Sequence, residues 1–160
     1  MVIWEQILRI FFISMLPIGE LRVSIPLAIT AYHWSYPLAF IIGVLGNLVF
    51  IYPVTWLLDT LLLKWVENGW FGYKVLEKLL TRAQTKTKEV YQRWAKWGLT
   101  AFVAIPLPLT GAWTGTVGAR LLGLSRRDTF FYVGLGVIIA GFIVTLATFF
   151  VTKGVHIFFI

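Results

Sequence analysis

Three uncharged runs constrain this chain more than any other feature. Val23–Leu58, Trp97–Ala119 and Thr129–Thr152 each exceed the roughly 20 residues that a helix needs to cross a bilayer. Composition agrees, because charged residues make up only 13% of the chain and hydrophobic ones 59%, whereas an ordinary soluble domain carries about a quarter charged residues. Mean hydropathy is +0.82. The chain therefore reads as an all-α integral membrane protein, with residues 1–160 forming one compact membrane domain. The amino terminus offers Glu5 and Arg9 rather than a basic region followed by a small-residue cleavage site, so the first apolar segment is expected to be retained. There is no cysteine, which excludes disulfides and thiolate metal sites.

Within this apolar background stands a charged pair, in the stretch Pro17-Ile-Gly-Glu20-Leu-Arg22-Val-Ser-Ile-Pro26. Ionisable groups at membrane depth are costly and mark a protein interior, a watery cavity or an ion path. Pro17 and Pro26 each remove a backbone donor, and irregular backbone at that depth is tolerated only where it is buried in protein or lines a cavity. The expectation is a broken or re-entrant segment carrying an acid and a base. Two residues apart on a regular helix, Glu20 and Arg22 do not face one another, so each needs another partner.

A second interrupted segment reads Ile105-Pro106-Leu-Pro108-Leu-Thr110-Gly111-Ala-Trp113-Thr114-Gly115-Thr116-Val-Gly118. A helix restarting there aims its amino end inward, where free N–H groups and a partial positive charge suit phosphate or carboxylate. The bland alternative is that Gly111 and Gly115, four apart, form only a helix-packing face. Set against each other with an offset of 91 residues, the halves pair Leu16-Pro17 with Leu107-Pro108, Ala28 with Ala119, Phe40 with Phe131 and Gly43 with Gly134. Both run as an apolar lead-in, a Pro/Gly-interrupted segment, a short turn and a long apolar helix. Paired interruptions at corresponding positions point to a transporter site near the bilayer midplane. The expected architecture is two pseudo-symmetric, inverted repeats, each a lead-in helix, a re-entrant hairpin and a transmembrane helix. Repeat one covers about 1–62 and repeat two about 97–160.

Between them, about 63–96, lies a basic connection: Lys64–Lys96 holds eight Lys/Arg against Glu67, Glu77 and Glu89. The positive-inside tendency makes it cytoplasmic. Leu76, Leu80, Ala83, Thr87, Val90, Trp94 and Trp97 recur at helical spacing, with Lys74, Lys78, Arg82 and Lys86 every four residues beside them. That pattern is a basic amphipathic helix, either packed under the bundle to set topology or gathering anionic lipid; the neighbouring membrane explains its charge without nucleic acid. Tyr32-His33-Trp34-Ser35-Tyr36-Pro37, rich in interface-seeking rings and free of Lys and Arg, is placed outside. The Pro37–Leu58 span then runs inward, with Asp59 and Lys64 marking its cytoplasmic end; Trp97–Ala119 dips in and returns, Arg120, Arg126 and Arg127 stay cytoplasmic, and Thr129–Thr152 exits. Whether Val2–Leu16 spans fully or inserts partly decides the side of the amino terminus.

Glu20-Leu-Arg22 ahead of Ile25-Pro26-Leu27, with Ile105-Pro106-Leu-Pro108-Leu-Thr110-Gly111-Ala112-Trp113, resembles the two signatures of the bacterial and archaeal small multidrug export protein family. The resemblance covers nearly the whole chain and implies a prokaryotic cell-membrane, multi-pass transporter. More distantly the chain is similar to the DedA (SNARE-associated, VTT-domain) proteins, through Pro17-x-Gly19-Glu20, Gly43-x-x-Gly46-Asn47 followed by Tyr52, and Gly118 followed by Leu124-Ser-Arg126-Arg127 and Phe130. That likeness implies proton- or sodium-coupled transport or flipping of lipids such as polyprenyl phosphate. The chain departs from the DedA pattern in carrying Asn47 where an acid is usual, and in lacking an arginine across Ala101–Ile105.

The substrate and ion site is thus expected at Glu20, Arg22, Asn47, Thr110, Gly111, Thr114 and Thr116, with Pro17, Pro26, Pro106 and Pro108 breaking the hairpins. Glu20 would carry the coupling proton, its pKa pushed up by desolvation and down by Arg22; Arg22 would meet a phosphate or carboxylate. A competing reading has the pair tie the hairpins together. His33 and His156 lie near segment ends without a second ligand at zinc-like spacing, so no metal or cofactor is expected. No catalytic constellation stands out, which argues against an enzyme. The alternatives to coupled transport are a gradient-independent scramblase and a structural membrane partner. Membrane lipids and a coupling ion are the expected partners, and Gly43, Gly46, Gly134, Gly136 and Gly141 offer close helix contacts for a homo-oligomer, such as a dimer.

Overall fold

A computed structural model describes residues 3–17, 19–67, 88–107 and 110–158. Six helices are present among them and no strand: α1 Ile3–Met15, α2 Glu20–Thr30, α3 Tyr36–Glu67, α4 Lys88–Ala104, α5 Ala112–Leu121 and α6 Arg126–Phe158. Most of the basic connection at 63–96, its amphipathic pattern included, lies outside the described residues, as does Pro108.

Length sorts the helices into two kinds. α3, with 32 residues, and α6, with 33, reach about 48 and 50 Å at 1.5 Å per residue, more than the roughly 30 Å hydrocarbon core. Tyr36–Leu61 and Arg126–Gly154 within them are apolar enough to cross a membrane. α1 has 13 residues and reaches about 20 Å, too short to span as a single helix. α2 and α5 have 11 and 10 residues. The long helices also carry apolar side chains outward: Phe131 and Phe142 are each 62% exposed, and Phe150 is 63% exposed. An outward face of that kind needs lipid rather than water as its solvent.

α3 and α6 pack antiparallel along the centre. Tyr36 Oη lies 2.9 Å from Thr152 Oγ1 at one end, and Arg126 Nε donates to Asp59 Oδ2 over 2.5 Å at the other. α1 and α2 pack against α3 near the first end. Trp34 Nε1, just past α2, donates to Gln6 Oε1 near the start of α1 (3.1 Å), while Ser14 near the end of α1 donates to the Gly43 carbonyl. α4 and α5 pack against α6 from the Asp59 end. Lys96 pairs with Asp128 at 3.0 Å, Thr100 donates to the Tyr132 carbonyl at 2.9 Å, and Arg120 returns to Asp59.

Five of the six glycines in the long helices are filled from within the chain; a Cβ on the sixth, Gly154, would meet open space among the described residues. A Cβ on Gly46 would fall 2.6 Å from the Phe11 carbonyl oxygen, and one on Gly136 2.8 Å from that of Thr100. Gly43 meets Ile25, Gly134 meets Leu48, and Gly141 meets Val44 and Phe40. Close approach inside the protomer thus accounts for these five.

The prolines divide. Pro17 lies in the turn between α1 and α2, and Pro106 in the break between α4 and α5. Pro26, expected to break its segment, instead lies inside α2, which continues to Thr30. Its missing N–H leaves the Arg22 carbonyl without the usual donor four residues on, and the helix absorbs that loss.

Candidate functional site

The two short helices begin at the same place. Gly111 is the N-cap of α5, and a glycine has no side chain with which to accept the free N–H groups of the first turn. Thr114 Oγ1 accepts the Gly111 N–H at 3.0 Å. The missing acceptor comes from α2: Trp113 N–H donates to Glu20 Oε1 at 3.4 Å, and the Ala112 N–H faces the same carboxylate. Glu20 therefore caps a helix 91 residues away in sequence. A carboxylate there also meets the positive end of the helix dipole, worth about 0.3–1 kcal/mol and up to about 2 when partly buried.

Glycine at 111 leaves room for the Glu20 carboxylate, which a Cβ there would overlap and displace from the helix end. Glu20 itself is 7% exposed and has a φ of 47°, in the left-handed region that non-glycine residues seldom occupy. Strained backbone of this kind persists only where surrounding contacts fix it, and it clusters at functional sites.

Arg22 crosses the same junction. Its Nη2 donates to the Thr110 carbonyl and to Thr110 Oγ1, the latter at 3.1 Å. The Arg22 Nε is buried and has no hydrogen-bond partner among the described residues; the same holds for Ser24 Oγ. In the opposite direction, Trp113 Nε1 donates to the Met15 carbonyl at 2.9 Å. Glu20 and Arg22 thus each bond to the second half.

The structure brings Glu20, Arg22, Thr110 and Gly111 together, with Thr114 on the first turn of α5. Asn47 stands in a separate cluster: its Nδ2 donates to Ser14 Oγ at 2.6 Å and to the Gly43 carbonyl at 3.3 Å, joining α3 to α1. Thr116 is buried and donates to the Ala112 carbonyl within its own helix (2.6 Å). The helix end expected to await an anion holds the chain's own carboxylate.

Two participants escape a reading of the sequence. Trp113 belongs to the junction through both its backbone and its indole; the sequence signals it only as the last residue of the second signature, two residues after Gly111. Asp59, expected merely to mark a span's end, accepts from Arg120 Nε at 2.7 Å and from Arg126 at 2.5 Å, tying α3 to both ends of the α5–α6 turn. Arg120 also donates to the Leu124 carbonyl.

Long apolar helices, outward aromatic faces and a charged junction buried between two broken segments define an all-helical membrane protein. The family model described as "Putative small multi-drug export protein" matches residues 20–143. The chain belongs to that family, whose description gives it an export role. No curated protein and no solved structure matches the sequence.

Proposed function

We propose that this protein is a non-enzymatic membrane transporter that moves an anionic amphiphile, a polyprenyl-phosphate-like lipid or a small amphipathic solute, through the Glu20–Arg22 junction. The observation that carries the proposal is the way the junction is occupied: a buried carboxylate of the protein sits on the α5 amino end beside a guanidinium that retains an unused donor. A substrate phosphate or carboxylate has the same charge as Glu20 and competes with it for the same N–H groups and for Arg22. Protonating Glu20 weakens its hold on α5, which is how a proton couples to substrate entry. Thr110, Gly111 and Thr114 complete the site; Asn47 and Thr116 support it by fixing α3 to α1 and the first turn of α5. The DedA likeness favours a lipid phosphate among such anions.

In this reading α1–α2 and α4–α5 are re-entrant hairpins of two inverted repeats. Support comes from the bonds that bring Gln6 to Trp34 at one end and Lys96 to Asp128 and Arg120 to Asp59 at the other. Support also comes from the helix bounds, since adding 91 to the starts of α2 and α3 gives positions 111 and 127, within one residue of the starts of α5 and α6. With α1 too short to span, the inverted reading places the amino terminus outside, the Asp59 end and basic connection in the cytoplasm, and membrane lipids and a coupling H+ or Na+ as partners. An oligomer, if formed, uses the outward apolar faces rather than the filled glycines.

The test is translocation of a short-chain polyprenyl phosphate in proteoliposomes, with and without a proton gradient. Movement that the gradient drives beyond equal distribution supports coupled transport. Gradient-independent exchange to equality replaces it with a scramblase, and no movement removes this substrate.

A further inference from the structure

Two cavities on one face of α6 run into each other. The inner, about 420 Å³, is bounded by Arg22 and Pro106 at its deep end and by Ala147 and Thr148 along α6. The outer, about 640 Å³, is bounded by His33, Tyr36 and Lys153. Thr30, Val151 and Thr152 belong to both, so the two make one crevice between α2 and α6. From Arg22 to Thr30 it follows eight residues of α2, about 12 Å.

We infer that this crevice is the water-accessible, anion-selecting route between Arg22 and the membrane face that carries Lys153. The inference rests on the transport reading for its purpose, but not for its geometry. A crevice through hydrocarbon holds water only if its walls offer hydrogen bonds. Thr30 and Thr148 each donate to a carbonyl of their own helix at 2.8 Å, which leaves their oxygens free to accept from water, while the Thr152 oxygen, which donates to the Thr148 carbonyl, already accepts from Tyr36 Oη at 2.9 Å. Its charge is of one sign. Arg22 stands at the deep end and Lys153 at the mouth, and no acid is among the described lining residues, because the Glu20 carboxylate faces α5 instead. Full charges at both ends outweigh hydroxyl dipoles in a low-dielectric wall, so anions concentrate there. The buried Arg22 Nε, unpartnered among the described residues, gives an arriving anion a donor.

The chain has no cysteine, so single-cysteine variants report without background. Ala147→Cys lies in the crevice; Phe150→Cys, nearer the same end of α6 but among neither cavity's lining residues, is the control. In sealed proteoliposomes a membrane-impermeant anionic thiosulfonate is expected to label Ala147→Cys at least tenfold faster than Phe150→Cys. It should also outpace a cationic thiosulfonate there, with the preference shrinking in Arg22→Gln. The vesicle fraction labelled at Ala147→Cys should equal that labelled at Lys153→Cys. Equal rates at 147 and 150, preference for the cation, or labelling of 147 in the complementary vesicles would each overturn the inference. Should Arg22→Gln leave transport intact while 147 labels selectively with Arg22 in place and loses that preference in Arg22→Gln, the transport reading fails and the route stands.

Discussion

Glu20 meets three demands at once: it is buried, it holds a left-handed backbone conformation, and it supplies the cap that Gly111 lacks. Gly111→Ala places a methyl group into the carboxylate, so it should destabilise the protein by about 1–3 kcal/mol, as overpacking does. In a Glu20→Gly background most of that cost should vanish, because the three atoms nearest the added methyl all belong to the Glu20 carboxylate. A double-mutant cycle of melting in detergent checks this, and additive effects would contradict the packing described. Much of this was legible at the residue level. The i,i+2 spacing of Glu20 and Arg22 already requires separate partners. Their identities, Trp113 and Thr110, depend on a contact between residues some 90 positions apart, and no local pattern records it.

At the scale of elements, the α5–α6 turn is anchored through Asp59 and through the α6 cap. Ser125 Oγ accepts the Asp128 N–H at 3.1 Å and donates to Asp128 Oδ2 at 2.9 Å. Ser125→Ala should therefore cost about 0.5–2 kcal/mol. The Asp59 cluster separates its members by exposure. Arg120, 18% exposed, shares a half-enclosed pair with Asp59, whereas Arg126 is 47% exposed and screened by solvent. Arg126→Ala should stay within about 1 kcal/mol, while Asp59→Ala, which strands Arg120, should approach about 3 kcal/mol. Thermal melts that rank Arg126 above Asp59 would refute this account of the turn. The apolar runs announced α3 and α6, because neither carries the doubled proline that divides the equally uncharged Trp97–Ala119 run into α4 and α5. Pro26 was misread, since proline lowers helix propensity without forbidding a helix whose packing compensates. Asp59 looked like an end marker because a lone acid near a run of leucines says nothing about which arginine lies across the bundle.

For the whole molecule, two antiparallel long helices hold two helical pairs whose broken ends meet between them. The glycines at 46 and 136 let the lead-in helices approach these long helices closely, so Gly46→Leu or Gly136→Leu should disrupt the fold rather than an oligomer. Size-exclusion chromatography in detergent, read together with melting, separates the two effects: an unchanged melt with an altered oligomer would oppose the intramolecular role. Passage of substrate through the proposed Glu20–Arg22 junction can be followed as polyprenyl-phosphate translocation in proteoliposomes under a proton gradient, comparing wild type with Glu20→Gln and Arg22→Gln. Each variant must first be shown to melt as a folded protein. Gradient-driven movement should be lost in both, with Glu20→Gln alone retaining gradient-independent exchange. Wild-type coupled movement in both folded variants would rule out the junction as the substrate's path.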